Sequence, residues 1–148
     1  MAKNKALTVK TVAKVALQLA KDIETKPFKL GRSTLFNEKT GAPVCAMGHL
    51  LARLGAEHDE ESADPLDYFR KLIPEASSKC DEAFDKVINR NDEGSGEEGD
   101  TFRKHRKFAV AYEFRKGAAE LLGQKEPKVP AILLKSKHFD NYAPSKEV

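Results

Sequence analysis

The chain has 148 residues, of which 40% are hydrophobic and 33% are charged, and its formal net charge is +3. A chain of this length typically forms one domain that buries a core without disulfides or metals. No run approaches the roughly 18 apolar residues of a membrane span, so we expect no membrane association of that kind. With no tryptophan and only 7% aromatic residues, a large platform for stacking nucleic-acid bases is also disfavoured.

Charge is unevenly distributed along the chain. Residues 1–33 carry a net charge of +6, residues 34–100 carry −9, and residues 101–148 carry +6. Basic ends around an acidic middle leave two interpretations open. Either the ends contact an anionic partner, or they pack near the acidic middle and neutralise it.

Apolar residues at helical spacing predict the main elements. Thr8 is a typical cap for a first helix, and Gly55 and Gly123 are typical of residues just after a helix ends. Pro65, after Asp64, suits a first helical position. The predicted helices span residues 8–24, 45–54, 65–73, 77–89 and 101–122.

Three other segments are expected to lack long regular structure. The turn-rich stretch before residue 45 allows at most one small β-hairpin, near residues 33–44. Residues 91–100 read as an exposed acidic loop, and the proline-containing tail, 124–148, as largely irregular. The apolar run at 131–134 should dock on the body or on a partner.

These elements predict a mainly α fold. We expect a compact bundle of four to five helices in a single domain over residues 1–123, followed by the tail. The two cysteines, Cys45 and Cys80, should be reduced, because the basic start of the chain lacks the apolar region and cleavage site of a signal peptide. A cytoplasmic protein is therefore expected, and its oligomeric state stays open.

Cys45 is the first candidate for chemistry. It stands where a turn enters a predicted helix, so the helix dipole would favour its thiolate. His49, four residues on, would share its helix face. A nucleophilic reading takes Cys45 with His49 or His105 as base and Asp92 or Asn91 as the orienting group. The simpler reading is a small buried residue at a tight junction, and it is favoured because free cysteine is usually buried.

A metal site is a weaker alternative for the same cysteine. Two thiols and two imidazoles are a set that structural zinc prefers, and the chain could supply them from four residues. Only the pair Cys45 and His49 has a spacing that suits one helix face, and no Cys-x2-Cys pair is present. We therefore expect no metal and no other cofactor. The four residues are Cys45, His49, His58 and Cys80.

A basic run at the start of the last helix is the second candidate site. Cations at a helix N-terminus oppose the helix dipole, and this cost hints at a use such as phosphate contact. Together with Lys10 and Lys14, the run predicts a binding patch for nucleic acid or a host protein. The alternative, favoured by the small net charge, is a solvated face paired with the acidic loop. The cations of the run are Arg103, Lys104, Arg106 and Lys107.

The pair Asn91-Asp92 follows an apolar stripe and allows two interpretations. The two side chains could bind a polar ligand, or they could stop the helix and form a turn. The structural interpretation is favoured, because asparagine and aspartate commonly end helices.

In these elements the chain resembles a family of small, uncharacterised bacterial and phage helical proteins. The resemblance rests on a Gly-x-x-x-Cys-x-x-Gly-x-Leu junction, here from Gly41 to Leu50, and on a later Asn-Asp element at Asn91. It implies a small helical fold and no particular activity. It also implies that Cys45, Gly48, Asn91 and Asp92 lie close together, and packing of Gly48 against the 77–89 helix would bring this about.

The sequence thus predicts a non-catalytic accessory or regulatory protein. Its partner would be a nucleic acid or a host protein, bound through the basic helix face. The alternative is a cysteine-dependent enzyme of the acyl-transfer type that uses Cys45.

Overall fold

The computed structural model describes residues 7–31, 34–62, 64–92 and 100–136, without the side chains of Asp92, Asp100 and Thr101. The chain is mainly helical, which confirms the predicted fold class. Within the described residues the helices are α1 (Val9–Thr25), α2 (Ala46–Arg53), α3 (Pro65–Leu72), α4 (Ser77–Ala83), α5 (Asp85–Asp92), α6 (Asp100–Leu122) and α7 (Ala131–Leu134), with a 3-10 turn over Pro74–Ala76.

Helices α1 and α6 form the central pair. They run antiparallel, since Glu24 contacts Arg115 whereas the later Lys26 contacts Lys107. Alanines let the two backbones approach closely, as the alanine spacing of the first helix indicates. The fully buried alanines of α1 are Ala13, Ala16 and Ala20.

Helix α6 contacts two hydrophobic clusters. Six consecutive residues, 109–114, are buried. Val110 and Phe114 belong to the main core, whereas Ala109 and Tyr112 belong to a smaller cluster with Leu133 of α7. The apolar run at 131–134 therefore packs on α6. Residues 137–148 of the predicted tail lie outside the described residues.

Helix α2 begins as expected at Cys45, and Gly48 in it makes a close approach. A Cβ atom on Gly48 would lie 2.0 Å from the carbonyl oxygen of Leu35. The glycine therefore packs against the segment before α2, and not against the 77–89 helix, as the resemblance implies. In the described part of that segment the expected hairpin is reduced to one antiparallel bridge, between Phe36 and Pro43.

The predicted 77–89 helix is two helices, α4 and α5, that meet at Phe84. Phe84 is buried and packs on Phe114 of α6, with ring centroids 5.8 Å apart. Helix α5 continues through Asp92, so the prediction of an exposed loop starting at residue 91 is wrong there. Asn91 is helical and 0% exposed. Residues 93–99 of that loop lie outside the described residues.

None of the helices in the described ranges combines the length and the apolar character needed to cross a membrane.

Gly48 gives a direct test of the junction. We expect Gly48→Ala to lower the free energy of unfolding by about 1–3 kcal/mol, because the new methyl group overlaps a backbone carbonyl. Helix propensity alone predicts the opposite sign, a gain of roughly 1 kcal/mol. Urea denaturation measures the difference. An unchanged or raised midpoint would contradict the observed packing.

Candidate functional site

Two buried polar side chains hold the segment before α2 in place, and Asn91 is the first. Its side-chain oxygen accepts a hydrogen bond from the backbone N–H of Ala46, at 3.1 Å. Its side-chain nitrogen donates to the carbonyl oxygen of Gly31, at 2.7 Å. One side chain of α5 therefore joins the N-terminus of α2 to the segment that follows α1. It also lies next to Cys45, as the resemblance implies.

Arg106 of α6 is the second buried polar side chain, at 7% exposed. Its guanidinium donates to three backbone carbonyl oxygens: Leu30 at 3.1 Å, Gly31 at 3.0 Å and Asn91 at 2.6 Å. Buried carbonyls without partners are costly, and these three lie outside or at the end of regular helices. Arg106 thus satisfies them and holds residues 27–31 against α6.

A groove of about 710 Å³ lies between that held segment and the N-terminal half of α6. Half-buried apolar side chains line it, and Lys29 and residues of the basic run complete its lining. One acidic side chain, Glu24, contributes, but two hydrogen bonds of 2.6 and 2.7 Å pair it with Arg115. The apolar lining residues are Pro27, Phe28, Leu30 and Phe108.

Besides Arg103 and the buried Arg106, three lysines contribute positive charge to the groove. Lys29 and Lys104 are exposed and Lys107 is partly exposed. None of the three forms an ion pair with an acidic side chain in the described ranges. Such charges remain available to an anionic ligand, and their attraction is strengthened where the surface beside them is apolar.

The structure separates the predicted binding residues into three groups. Arg103, Lys104 and Lys107 line the groove. Arg106 also borders it, but its guanidinium is buried and bonded to carbonyls, so its role as a surface cation is corrected to a structural one. Lys10 and Lys14 are exposed on α1, where Lys14 is roughly 18 Å along the helix from residue 26 at 1.5 Å per residue. They do not share one patch with the groove.

Helical periodicity contains a signal for Arg106 that the basic run conceals. Phe102, Arg106, Val110 and Phe114 follow one another at i+4 spacing, and the other three members are buried. Asn91 likewise continues the stripe of Phe84 and Val87. A polar residue within an apolar stripe is buried with partners more often than it is exposed.

Cys45 occupies a different cavity, of about 610 Å³. It is the N-cap of α2, its Sγ accepts from the N–H of Gly48 at 3.5 Å, and it is 5% exposed. His58 lines the same cavity, with both ring nitrogens buried and without a hydrogen-bond partner in the described residues. The sequence predicts His58 only as a weak candidate for a metal ligand, because the acidic residues around it are typical of a solvated loop.

Neither His49 nor His105, the two histidines of the predicted catalytic set, lines this cavity. His49 borders another depression and packs edge-on against Phe28, with centroids 4.7 Å apart. Burial, and then the charge of Arg53, lower the pKa of His49. His105 is hydrogen-bonded to Ser136 at 2.7 Å. The side chain of Asp92 lies outside the described residues.

The four residues considered for zinc are also separated. Cys80 is 0% exposed in the main core, and burial raises the pKa of its thiol to about 11. Cys45 and His58 share a cavity that neither His49 nor Cys80 lines. In the part of the chain that the structure describes, no group of three or more His, Cys, Asp or Glu side chains is placed to hold a metal ion.

Comparisons with known proteins give no match: no protein-family model, no curated protein and no solved structure matches this chain. The resemblance drawn from the Cys45 junction and the Asn91 element therefore stays a prediction.

Thiol alkylation separates the readings of Cys45. At pH 7 we expect iodoacetamide to react with Cys45 at least about tenfold more slowly in the folded chain than in urea, because the thiol is buried. Cys80 should react only on unfolding. The variants Cys80→Ser and Cys45→Ser isolate each thiol, and serine keeps the cap of α2. Fast labelling of Cys45 that persists below pH ~7 would instead favour the enzyme alternative.

Proposed function

We propose that the protein is a cytoplasmic, non-catalytic accessory protein that binds an anionic macromolecular partner in the groove between residues 27–30 and α6. The observation that carries the proposal is the set of three lysines, Lys29, Lys104 and Lys107, around an apolar floor. Basic side chains that stabilise a fold usually form ion pairs or hydrogen bonds. Arg115 pairs with Glu24, and Arg106 donates to backbone carbonyls. No described carboxylate forms an ion pair with these three lysines, so an anionic ligand can pair with them.

The distribution of acidic side chains supports the same function. The acidic residues Glu57, Asp59, Glu60 and Glu61 line a separate depression of about 630 Å³. It shares no lining residue with the groove. The described acidic side chains of residues 57–61 therefore do not border the groove, which supports an external anionic partner for its lysines. Residues 93–99 of the predicted acidic loop lie outside the described residues. The two free cysteines agree with a reducing compartment.

Placement of the candidate catalytic residues gives the enzyme alternative less support. A cysteine nucleophile requires a base within hydrogen-bond reach and an orienting partner for that base. His49 and His105 do not line the cavity of Cys45, and the asparagine offered as an orienting group, Asn91, is engaged with Ala46 and Gly31.

Charge reversal tests the proposal. The probes are labelled poly-glutamate, a single-stranded DNA of about 20 nucleotides and the matching duplex, measured by fluorescence anisotropy at ~50 mM salt. We expect at least one of these anions to bind, with affinity that falls steeply toward ~200 mM salt. The double variant Lys29→Glu/Lys104→Glu should weaken that binding at least about tenfold, since each exposed reversal removes an attraction and adds a repulsion.

The matched control is Lys10→Glu/Lys14→Glu, which changes the net charge equally but lies outside the groove. It should alter affinity by less than about twofold, because exposed charges farther apart than the Debye length, roughly 14 Å at ~50 mM salt, are largely screened. Binding of none of the three probes would contradict the proposal. An equal loss in both double variants would also contradict it, because net charge and not the groove would then be responsible.

A further inference from the structure

We infer that the partner is a protein segment that carries apolar anchor residues flanked by aspartates or glutamates, and not a nucleic acid. This inference rests on the proposed function and specifies the chemistry of the ligand in the same groove. The groove offers two separate kinds of contact, an apolar floor and a cationic rim. A segment with apolar and acidic side chains is complementary to both.

The apolar floor is preformed. Phe108 packs against the smaller hydrophobic cluster, beside Val129 and Ile132. Leu30 and Phe28 pack against the main core. The hydrogen bonds from Arg106 to Leu30 and Gly31 fix the opposite wall. A ligand side chain that enters the groove therefore loses apolar surface to water without requiring the protein to rearrange.

The apolar surface also continues beyond the groove. A second depression, of about 540 Å³, shares residues 27–30 with the groove and lies on the side toward α2. Gly31, Pro43, Val44 and His49 complete its lining, and Lys29 is the one lysine, arginine, aspartate or glutamate among the described residues that line it. A ligand that fills both depressions needs several apolar side chains, which a protein segment provides and a phosphate backbone does not.

Two features disfavour a nucleic acid. Among the described residues, the cations that line the groove form one short cluster, and Lys10 and Lys14 lie farther along α1. The half-buried ring of Phe28 already packs edge-to-face with His49, and its centroid lies 6.0 Å from the guanidinium carbon of Arg53. Single-strand binding usually combines a long cationic track with free aromatic faces.

Two peptides of equal charge provide the test. One is a labelled peptide of about 16 residues, rich in glutamate, with Leu and Phe at the i, i+3, i+4 and i+7 positions of an amphipathic helix. In the other, serines replace every Leu and Phe. We expect the apolar peptide to bind the full chain at least about tenfold more tightly than its serine counterpart. It should also bind more tightly than a single-stranded DNA of about 20 nucleotides.

The charge variants assign this binding to the groove. The double variant Lys29→Glu/Lys104→Glu should bind the apolar peptide at least about tenfold more weakly than the unsubstituted chain. The control Lys10→Glu/Lys14→Glu should change that affinity by less than about twofold. Equal affinity for the two peptides, or tighter binding of the DNA, would overturn the inference and leave the proposed function in place. Failure of every anionic probe to bind would overturn both.

Discussion

The arrangement of this protein depends on the hydrogen bonds that Asn91 and Arg106 make to backbone groups of residues distant in sequence. The two side chains satisfy the N–H of Ala46 and the carbonyls of Leu30, Gly31 and Asn91 itself. Those backbone groups lie where α1 has ended, α2 begins and α5 ends. The bonds at Ala46 and at the Asn91 carbonyl are buried, and those at Leu30 and Gly31 are partly buried. A buried backbone group left without a partner costs about 1–3 kcal/mol. The network therefore determines how three elements meet.

The same constraint shapes the candidate binding site. Arg106 holds residues 27–31 along α6, and the gap left between them is the groove. Neighbouring cations of the basic run lie on different faces of α6. Arg106 is buried, whereas Lys104 is exposed and Lys107 is partly exposed. One short run thus supplies both the support of the groove wall and part of the charge on its rim.

Much of the fold could be predicted because it depends on local chemistry. The cap at Thr8, the start of α2 at Cys45 and the helix ends before Gly55 and Gly123 all follow from side-chain capping and from backbone angles that glycine tolerates. The structure has these features, with Thr8 accepting from Thr11 at 3.1 Å. The positive φ angles are 101° at Gly55 and 68° at Gly123.

The features that could not be predicted depend on contacts between distant elements. The contact of Gly48 with Leu35 and the break between α4 and α5 at Phe84 are fixed by packing, which the periodicity of one segment does not contain. The basic run predicted a uniform surface patch because its charges are adjacent in the sequence. The burial of Arg106 depends instead on its i+4 spacing from Phe102 and Val110, which is harder to recognise within that run. The groove itself needs the course of residues 27–31, a segment without regular structure.

Stability of the variants Arg106→Met and Lys104→Met, compared by urea denaturation, tests the structural role of Arg106 most directly. Both substitutions introduce methionine, stand two residues apart on α6 and remove one positive charge. If the Arg106 guanidinium satisfies backbone carbonyls, Arg106→Met should lower the free energy of unfolding by about 2–3 kcal/mol, whereas Lys104→Met, at an exposed position, should change it by about 0.5 kcal/mol or less. Equal, small effects of both would contradict the account and return Arg106 to the surface patch.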